Sequence, residues 1–417
     1  MPAAHADPSL IDSPQALRRL LVTLGLVVLG NGSMYVLPVV LPAVQAEFGV
    51  GRAGASLPYT LMMVCLGLGG LLTGKLADRH GLAPVLWLGA LAVLGGFVGA
   101  GLSGGILAFG LAHAAMGLLG SAATFAPLLA DTALWWNRRR GIAVAVCASG
   151  NYVAGAIWPP IVQQGIDTLG WRPTYIALGA VCGAGMFALS WLMRQRPPAL
   201  PASAATAAGT PPVRTRPFDL APNQAMALLC LAGVACCVAM AMPQVHIVAY
   251  CTDLGFGAAQ GARMLSLMLA CGIVSRLVFG LICDRIGGIR TLLLGSALQG
   301  VALLLFLPFD GLVPLYVISA LFGLFQGGIV PTYAIIVREH FPLQEAGLRV
   351  GAVIMATLVG MALGGWLSGW IFDLTGSYRV AFVNGIGWNL LNLFIAGWLY
   401  LRVRGGGSGR EALASTP

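Results

Sequence analysis

An arginine at position 276 sets the chemistry open to this chain. It stands in the run Met264–Gly288, MLSLMLACGIVSRLVFGLICDRIGG, which is long enough to cross a bilayer. A cation inside a membrane helix costs about 2.5 kcal/mol or more, so it is expected to face a cavity and to act there. A guanidinium keeps its charge and offers a planar fork that matches a carboxylate with two hydrogen bonds. One such fork among apolar walls favours a small organic anion. The competing reading is that Arg276 snorkels to the interface. The charged turn Asp284-Arg285 already marks that interface two turns further on.

Fewer polar side chains than usual accompany it. His246 lies in MPQVHIVAYCTD; an imidazole titrates ordinarily near about 6.5, so it can take a coupling proton or donate to an anion. A histidine hydrogen-bonded between helices explains it equally well. His113 is flanked by apolar residues, and packing is favoured there over proton handling. Asn31 and Tyr35 are one turn apart and share a helix face. Asn151 and Tyr152 lie between Gly150 and Gly155, and Tyr333 follows Pro331. The expected substrate-binding set is therefore Arg276, His246, Tyr35, Asn31, Asn151, Tyr152 and Tyr333, with His246 and His113 as proton-coupling candidates. Asp131 is expected to pair with a cytoplasmic-side arginine rather than to bind substrate. The tryptophans at positions 135, 136, 171, 191 and 398 read as an interfacial belt.

The nine cysteines sit mostly in apolar runs without a CxxC pair, so no metal site is expected. HExxH and P-loop motifs are absent. No enzyme activity and no cofactor are expected, and without a nucleotide site the driving force should be an ion or exchange gradient.

These residues require a membrane scaffold. Of 417 residues, 58% are hydrophobic and only 9% charged, where soluble domains carry about 25% charged. The apolar residues fall into twelve runs, the first near Leu20–Leu41 and the last near Val380–Leu401. The expected organisation is a tail over 1–19, a six-helix half over 20–193, a linker over 194–222, a second six-helix half over 223–402 and a tail over 403–417. The linker is rich in Pro, Ala and Thr and cannot bury a core. GxxxG spacings at Gly70/Gly74, Gly179/Gly183, Gly323/Gly327 and Gly360/Gly364 suit close helix packing. Of the 23 basic residues, eighteen fall in even-numbered turns and the termini, four in odd-numbered turns, and Arg276 inside a run. The positive-inside rule then places both termini and the linker in the cytoplasm of a multi-pass protein of the cell inner (plasma) membrane.

The halves repeat. GKLADRHG at Gly74–Gly81 returns as GLICDRIG at Gly280–Gly287, a shift of 206 that also links Gly49 to Gly255, Asp167 to Asp373 and Gly170 to Gly376. Six helices return the chain to its starting side, so the repeats are parallel.

GKLADRHGLAPVL at Gly74–Leu86 resembles the loop signature of the major facilitator superfamily, except that Leu82 and Ala83 replace its basic pair. The resemblance implies an all-α fold of twelve transmembrane helices in two pseudo-repeats. It also implies a gating latch formed by Gly74, Asp78, Arg79 and Gly81 that holds the outward-open state, echoed by Asp284 and Arg285. WWNRRRGIAVAVCASGNYVAG at Trp135–Gly155 is similar to a stretch of the monocarboxylate transporters and the oxalate:formate antiporter group. The segments Glu47–Met63, Met242–Gly255 and Ser275–Gly280 are similar too, the last two in the manner of bacterial members. In that group the arginine of the eighth helix binds the substrate carboxylate, which carries over to Arg276. Three positions depart from the family. Gly272 stands where some animal members have an aspartate, Asn31 where the first helix has an acid, and His113 where the superfamily has an arginine.

The expected function is secondary transport of small monocarboxylates or related organic anions by alternating access, by proton symport or anion antiport. The runner-up is an exporter of apolar or aromatic compounds on the same fold. A non-transporting membrane sensor is the reading from another class. Expected partners are the anion, a coupling proton and the lipid bilayer, with no nucleic acid, and a monomer is expected.

Overall fold

A computed structural model describes residues 10–195 and 217–414. Most of the expected linker, the start of the N-terminal tail and the last three residues lie outside the described residues. The described chain is helical, with twelve stretches long and apolar enough to cross a membrane. They are spans 1 to 6 at Pro14–Phe48, Arg52–His80, Leu82–Gly101, Ile106–Trp135, Arg140–Leu169 and Trp171–Trp191, and spans 7 to 12 at Pro222–Asp253, Ala258–Ile286, Gly288–Leu305, Leu312–His340, Glu345–Thr375 and Tyr378–Val403. All twelve expected runs are present.

Several helices run further than their apolar cores. Span 1 begins six residues before Leu20, because Ser13 caps it: its hydroxyl accepts from the Ala16 N–H at 3.2 Å, and Pro14 occupies the first turn, where no N–H is needed. It ends at Gly49, which is left-handed with φ 62°. Large apolar side chains such as Leu68, Leu107, Leu281 and Phe394 stay exposed, as a lipid-facing surface requires.

The chain divides into two compact units. The first comprises Met1–Gly209 with Val245–Ala270. In it span 3 packs along span 6, span 2 along span 4, and span 1 against spans 5 and 6. Small residues set the separations. A Cβ on Gly183 would stand 2.7 Å from Leu94 Cβ, and one on Gly179 would stand 3.1 Å from the Leu94 carbonyl oxygen. The second unit comprises Thr210–Gln244 with Cys271–Pro417. There span 9 packs along span 12, span 10 against spans 9 and 11, and span 11 against span 12. Gly360 and Gly364 press span 11 onto span 7; Cβ atoms there would lie 2.5 Å from the Val234 carbonyl oxygen and 2.7 Å from Val238 Cα. The Gly70/Gly74 spacing makes no such contact, since added Cβ atoms at both positions meet open space.

The repeat extends to the backbone. Among the described residues seven glycines have positive φ, and six of them pair at the shift of 206: Gly49 with Gly255, Gly81 with Gly287, and Gly170 with Gly376. Gly81 (φ 87°, ψ 169°) and Gly287 (φ 81°, ψ 164°) each end one helix and start the next with almost no loop. An L residue is strained at that φ, which is why both copies keep glycine.

Three spans are broken rather than continuous; in span 4 the turn at Thr124–Phe125, with Phe125 at φ −115° and ψ −79°, precedes the helix Ala126–Trp135. Span 1 is interrupted at Asn31, whose φ of −96° and ψ of 3° are not helical. Span 10 is interrupted at Gly327–Gly328, between the helices Leu312–Gln326 and Ile329–His340. Span 4 adds a π-helical turn at Met116–Ser121. In a membrane, irregular backbone survives only where neighbours satisfy the freed groups.

Candidate functional site

The break in span 10 lies against span 8. A Cβ on Gly327 would collide with the Gly272 carbonyl and stand 2.8 Å from Ser275 Cβ, and one on Gly328 would run into Phe279. The helices thus cross backbone to backbone at this point. Arg276, half-buried, donates from Nε to the Gly327 carbonyl oxygen at 3.3 Å. Its guanidinium is thereby turned onto the break rather than stretched along the lipid face. Gln244 of span 7 donates to Gln326 Oε1 at 2.9 Å, and both are buried. Gly272, which has no side chain, lets span 10 come this close.

Tyr333 is the other expected site residue in this unit. It is fully buried, and its hydroxyl donates to Asn392 Oδ1 at 2.9 Å. Asn392 donates to Ser296 Oγ at 2.7 Å, and Asn389 to the Ser296 carbonyl at 3.0 Å. This places Tyr333 in a polar network that ties spans 9, 10 and 12 together.

The break in span 1 is served from spans 4 and 5. Asn31 Nδ2 donates to the Val27 carbonyl at 3.0 Å and to Thr124 Oγ1 at 3.4 Å. Trp158 Nε1 donates to the Val28 carbonyl at 3.0 Å, and Ser121 Oγ to the Gly30 carbonyl at 2.9 Å. Three carbonyls around the break therefore have side-chain donors. Ser121, Thr124 and Trp158 were not marked by the sequence; lone hydroxyls and a tryptophan in apolar runs carry no signal until the break they serve is seen.

Tyr35 is buried one turn on, with its ring 3.0 Å from where a Gly155 Cβ would stand; Leu269 of span 8 closes on the same glycine. Ser266 of span 8 donates to the Ala156 carbonyl. Tyr152 is buried, and Asn151 beside it is partly buried with no partner for its Oδ1. His246 is fully buried three residues past Pro243, inside a helix where that proline leaves one carbonyl without its usual donor. His113 is also fully buried, with Nδ1 2.8 Å from the Phe109 carbonyl oxygen and Nε2 3.4 Å from the Tyr175 hydroxyl. Its ring lies among Phe109 and Tyr175, the packing role favoured for it.

Three ion pairs finish this unit. Arg19 grips Asp131 with two bonds, at 2.8 and 2.9 Å, both residues buried, and its guanidinium lies 4.5 Å over Trp135. Asp131 thus pairs with an arginine of the basic set expected on its side, Arg19 of span 1. Trp135 is only 1% exposed, so it is the floor of that pair and not part of an interfacial belt. Arg52 meets Asp253 at 2.5 Å. Glu47 accepts from Trp171 Nε1 and from Arg172, Arg172 Nε lying at 2.8 Å. Trp171 is buried in that contact and is likewise no belt residue.

Of the expected latch, Asp78, Arg79, Asp284 and Arg285 are all exposed at helix ends. Among the described residues, none of the four makes a hydrogen bond or an ion pair.

Two sets of six helices, repeated in sequence and in backbone, with polar groups gathered at breaks inside the membrane, define a secondary transporter fold. The chain belongs to the Major Facilitator Superfamily, whose family model matches residues 22–314 and 227–415. It is 28% identical over 329 residues to monocarboxylate transporter 11 of Homo sapiens, covering 74% of this chain and 66% of that one. It is 27% identical over 326 residues to monocarboxylate transporter 13 of Rattus norvegicus, covering 76% of this chain and 72% of the relative. The chain thus spans about two thirds of these relatives' length. Among solved structures, a bacterial homologue of the human lysosomal transporter Spinster superposes with a TM-score of 0.71 at 13% identity, covering 94% of this chain and 97% of the other. The protein is therefore a multi-pass membrane transporter related to the monocarboxylate transporters, and not an enzyme.

Proposed function

We propose that the protein carries small monocarboxylates or related organic anions by alternating access, with Arg276 as the carboxylate ligand. The observation that carries this is the setting of Arg276. Its Nε is spent on the Gly327 carbonyl at the broken point of span 10, which fixes the fork at a helix crossing instead of at the charged helix end. A guanidinium is a planar fork whose geometry matches a carboxylate. Asn31, Tyr35, Asn151, Tyr152 and Tyr333 are further candidates, each within its own unit: Asn31 serves the break in span 1, and Tyr333 the network of spans 9, 10 and 12.

Coupling falls to His246 or to exchange, because Gly272 and Asn31 stand where acids would. With both termini cytoplasmic, the Arg52–Asp253 pair lies on the outer side. The repeat explains its choice of partner. Asp253 is the counterpart of Glu47, which Trp171 and Arg172 hold; their counterparts are Ser377 and Tyr378, which bring no cation. Asp253 turns to Arg52 instead and ties span 7 to the start of span 2. Asp78 and Arg79 then act as the opposing latch in the alternate state. Purified protein in proteoliposomes should take up labelled small carboxylates, with or without a pH gradient. Uptake of apolar compounds alone would remove this reading.

A further inference from the structure

Arginines seated on aromatic rings fall into two groups. Arg19 lies over Trp135, Arg172 over Trp171 and Arg349 over Phe341, and each also holds a carboxylate, of Asp131, Glu47 and Glu345 respectively. Arg194, Arg290 and Arg402 are seated too, but among the described residues none of them makes an ion pair or a side-chain hydrogen bond. All three stand at corresponding corners of the two units. Arg194 follows span 6, and its guanidinium lies 4.6 Å from the Trp191 ring and 5.9 Å from that of Trp87 in span 3. Arg290, in the first turn of span 9, lies 5.6 Å from the Tyr400 ring, and Arg402 lies 4.3 Å from the Trp398 ring, both rings near the end of span 12. Spans 3 and 6 are the repeat counterparts of spans 9 and 12, and both corners face the side of the termini. The residues themselves do not correspond. At the shift of 206, Arg194 meets Tyr400 and Trp191 meets Gly397. The same arrangement has thus been built twice from different residues.

An aromatic ring holds a guanidinium in place without neutralising it, and a guanidinium has no acceptor of its own. The surroundings of each corner are amphiphilic. Trp87, Phe187 and Trp191 form a triad with ring centroids 5.7–6.4 Å apart. One turn deeper into the membrane, Leu91 and Phe187 are exposed at the first corner, and Leu294 and Phe394 at the second. A fixed cation at the membrane edge, with apolar surface running inward from it, fits a molecule that has an anionic head and hydrocarbon tails. We propose that the two corners are binding sites for an anionic phospholipid. Arg194 takes the phosphodiester at one, Arg290 and Arg402 take it at the other, and the acyl chains lie on the exposed residues one turn deeper. A zwitterionic headgroup brings its own cation beside the phosphate, so charge complementarity favours a headgroup with a net negative charge. The proposal needs only that the chain spans a bilayer and stands apart from the reading of Arg276.

The test is native mass spectrometry of the purified full chain titrated with phosphatidylglycerol or with phosphatidylcholine of the same acyl chains. The proteins are wild type, Arg194→Gln, Arg290→Gln combined with Arg402→Gln, and Arg139→Gln, each checked by thermal unfolding. Arg139 is exposed in the turn between spans 4 and 5, on the same side, and among the described residues it is seated on no ring, so it reports attraction by charge alone. Wild type should hold two copies of phosphatidylglycerol, each more tightly than phosphatidylcholine. Arg194→Gln should lower the association constant of one copy about tenfold, equivalent to ~1.4 kcal/mol. The double variant should do the same to the other copy, and Arg139→Gln should keep wild-type values. An excess of inorganic phosphate should displace neither copy. Selective loss in the corner variants supports the proposal. Equal affinity of wild type for the two lipids, or phosphatidylglycerol binding unchanged in both corner variants, would overturn it. So would a loss in Arg139→Gln as large as theirs, which would leave only diffuse attraction. Displacement by inorganic phosphate would make the corners ion sites and overturn the lipid assignment.

Discussion

Single residues were legible in the sequence where they broke a pattern. Arg276 stood out because one cation in an apolar run has no innocent cost, and its place in the span 8–10 crossing follows the same logic. Asp131 illustrates a half-legible case. Its need for an arginine on that side could be read, but not that the partner is Arg19, 112 positions away. That pair is testable by itself. Breaking a buried ion pair leaves a charge without compensation, which costs about 3–5 kcal/mol. Asp131→Ala should therefore lower the unfolding temperature of the purified protein sharply, and Arg19→Leu combined with Asp131→Leu should regain most of the loss. If the single variant unfolds like wild type, the pair contributes nothing to holding span 1 on span 4.

At the scale of the element, hydropathy revealed all twelve spans, because a helix that must bury its own backbone in hydrocarbon is marked by composition alone. The breaks at Asn31 and Gly327 were not visible. Whether a membrane helix can open depends on donors arriving from neighbours, here Trp158, Ser121 and Arg276, and these sit far away in sequence. The GxxxG spacings divided the same way. Gly360 and Gly364 do press span 11 onto span 7, while Gly70 and Gly74 touch nothing. Gly360→Leu should accordingly destabilise the protein by about 1–3 kcal/mol through overpacking, and Gly70→Leu should be neutral, as read by detergent thermal unfolding. The Arg52–Asp253 pair makes an element-scale prediction about motion. Arg52→Asp should free the end of span 7 and raise accessibility of engineered cysteines near Tyr35 from the Arg52 side, and adding Asp253→Arg should restore protection. Equal accessibility in wild type and Arg52→Asp would show that the pair latches nothing.

For the molecule as a whole, the 206-residue repeat and the loop signature were enough to reach the fold and the family, since both are written in glycines whose backbone geometry allows no other residue. Six of the seven positive-φ glycines pairing at that shift show why. Orientation rests on the distribution of arginines. A cysteine placed at Thr206 in a cysteine-depleted background should react with an impermeant reagent only after the cytoplasmic face is exposed; labelling of intact cells would reverse the topology. The proposed coupling falls to His246 or to exchange. If transport is symport, His246→Gln should flatten the pH dependence of net uptake and spare exchange, whereas full pH dependence in that variant would remove it as the proton carrier. The most direct test of the central claim compares uptake of labelled small carboxylates into proteoliposomes carrying wild type, Arg276→Lys and Arg276→Ala, matched for insertion and folding. A carboxylate fork predicts saturable uptake by wild type, weak uptake by lysine, which keeps the charge but not the planar pair of donors, and nearly none by alanine, a loss of about 2–5 kcal/mol in binding. Wild-type uptake by the alanine variant would contradict the account and remove the organic anion with it.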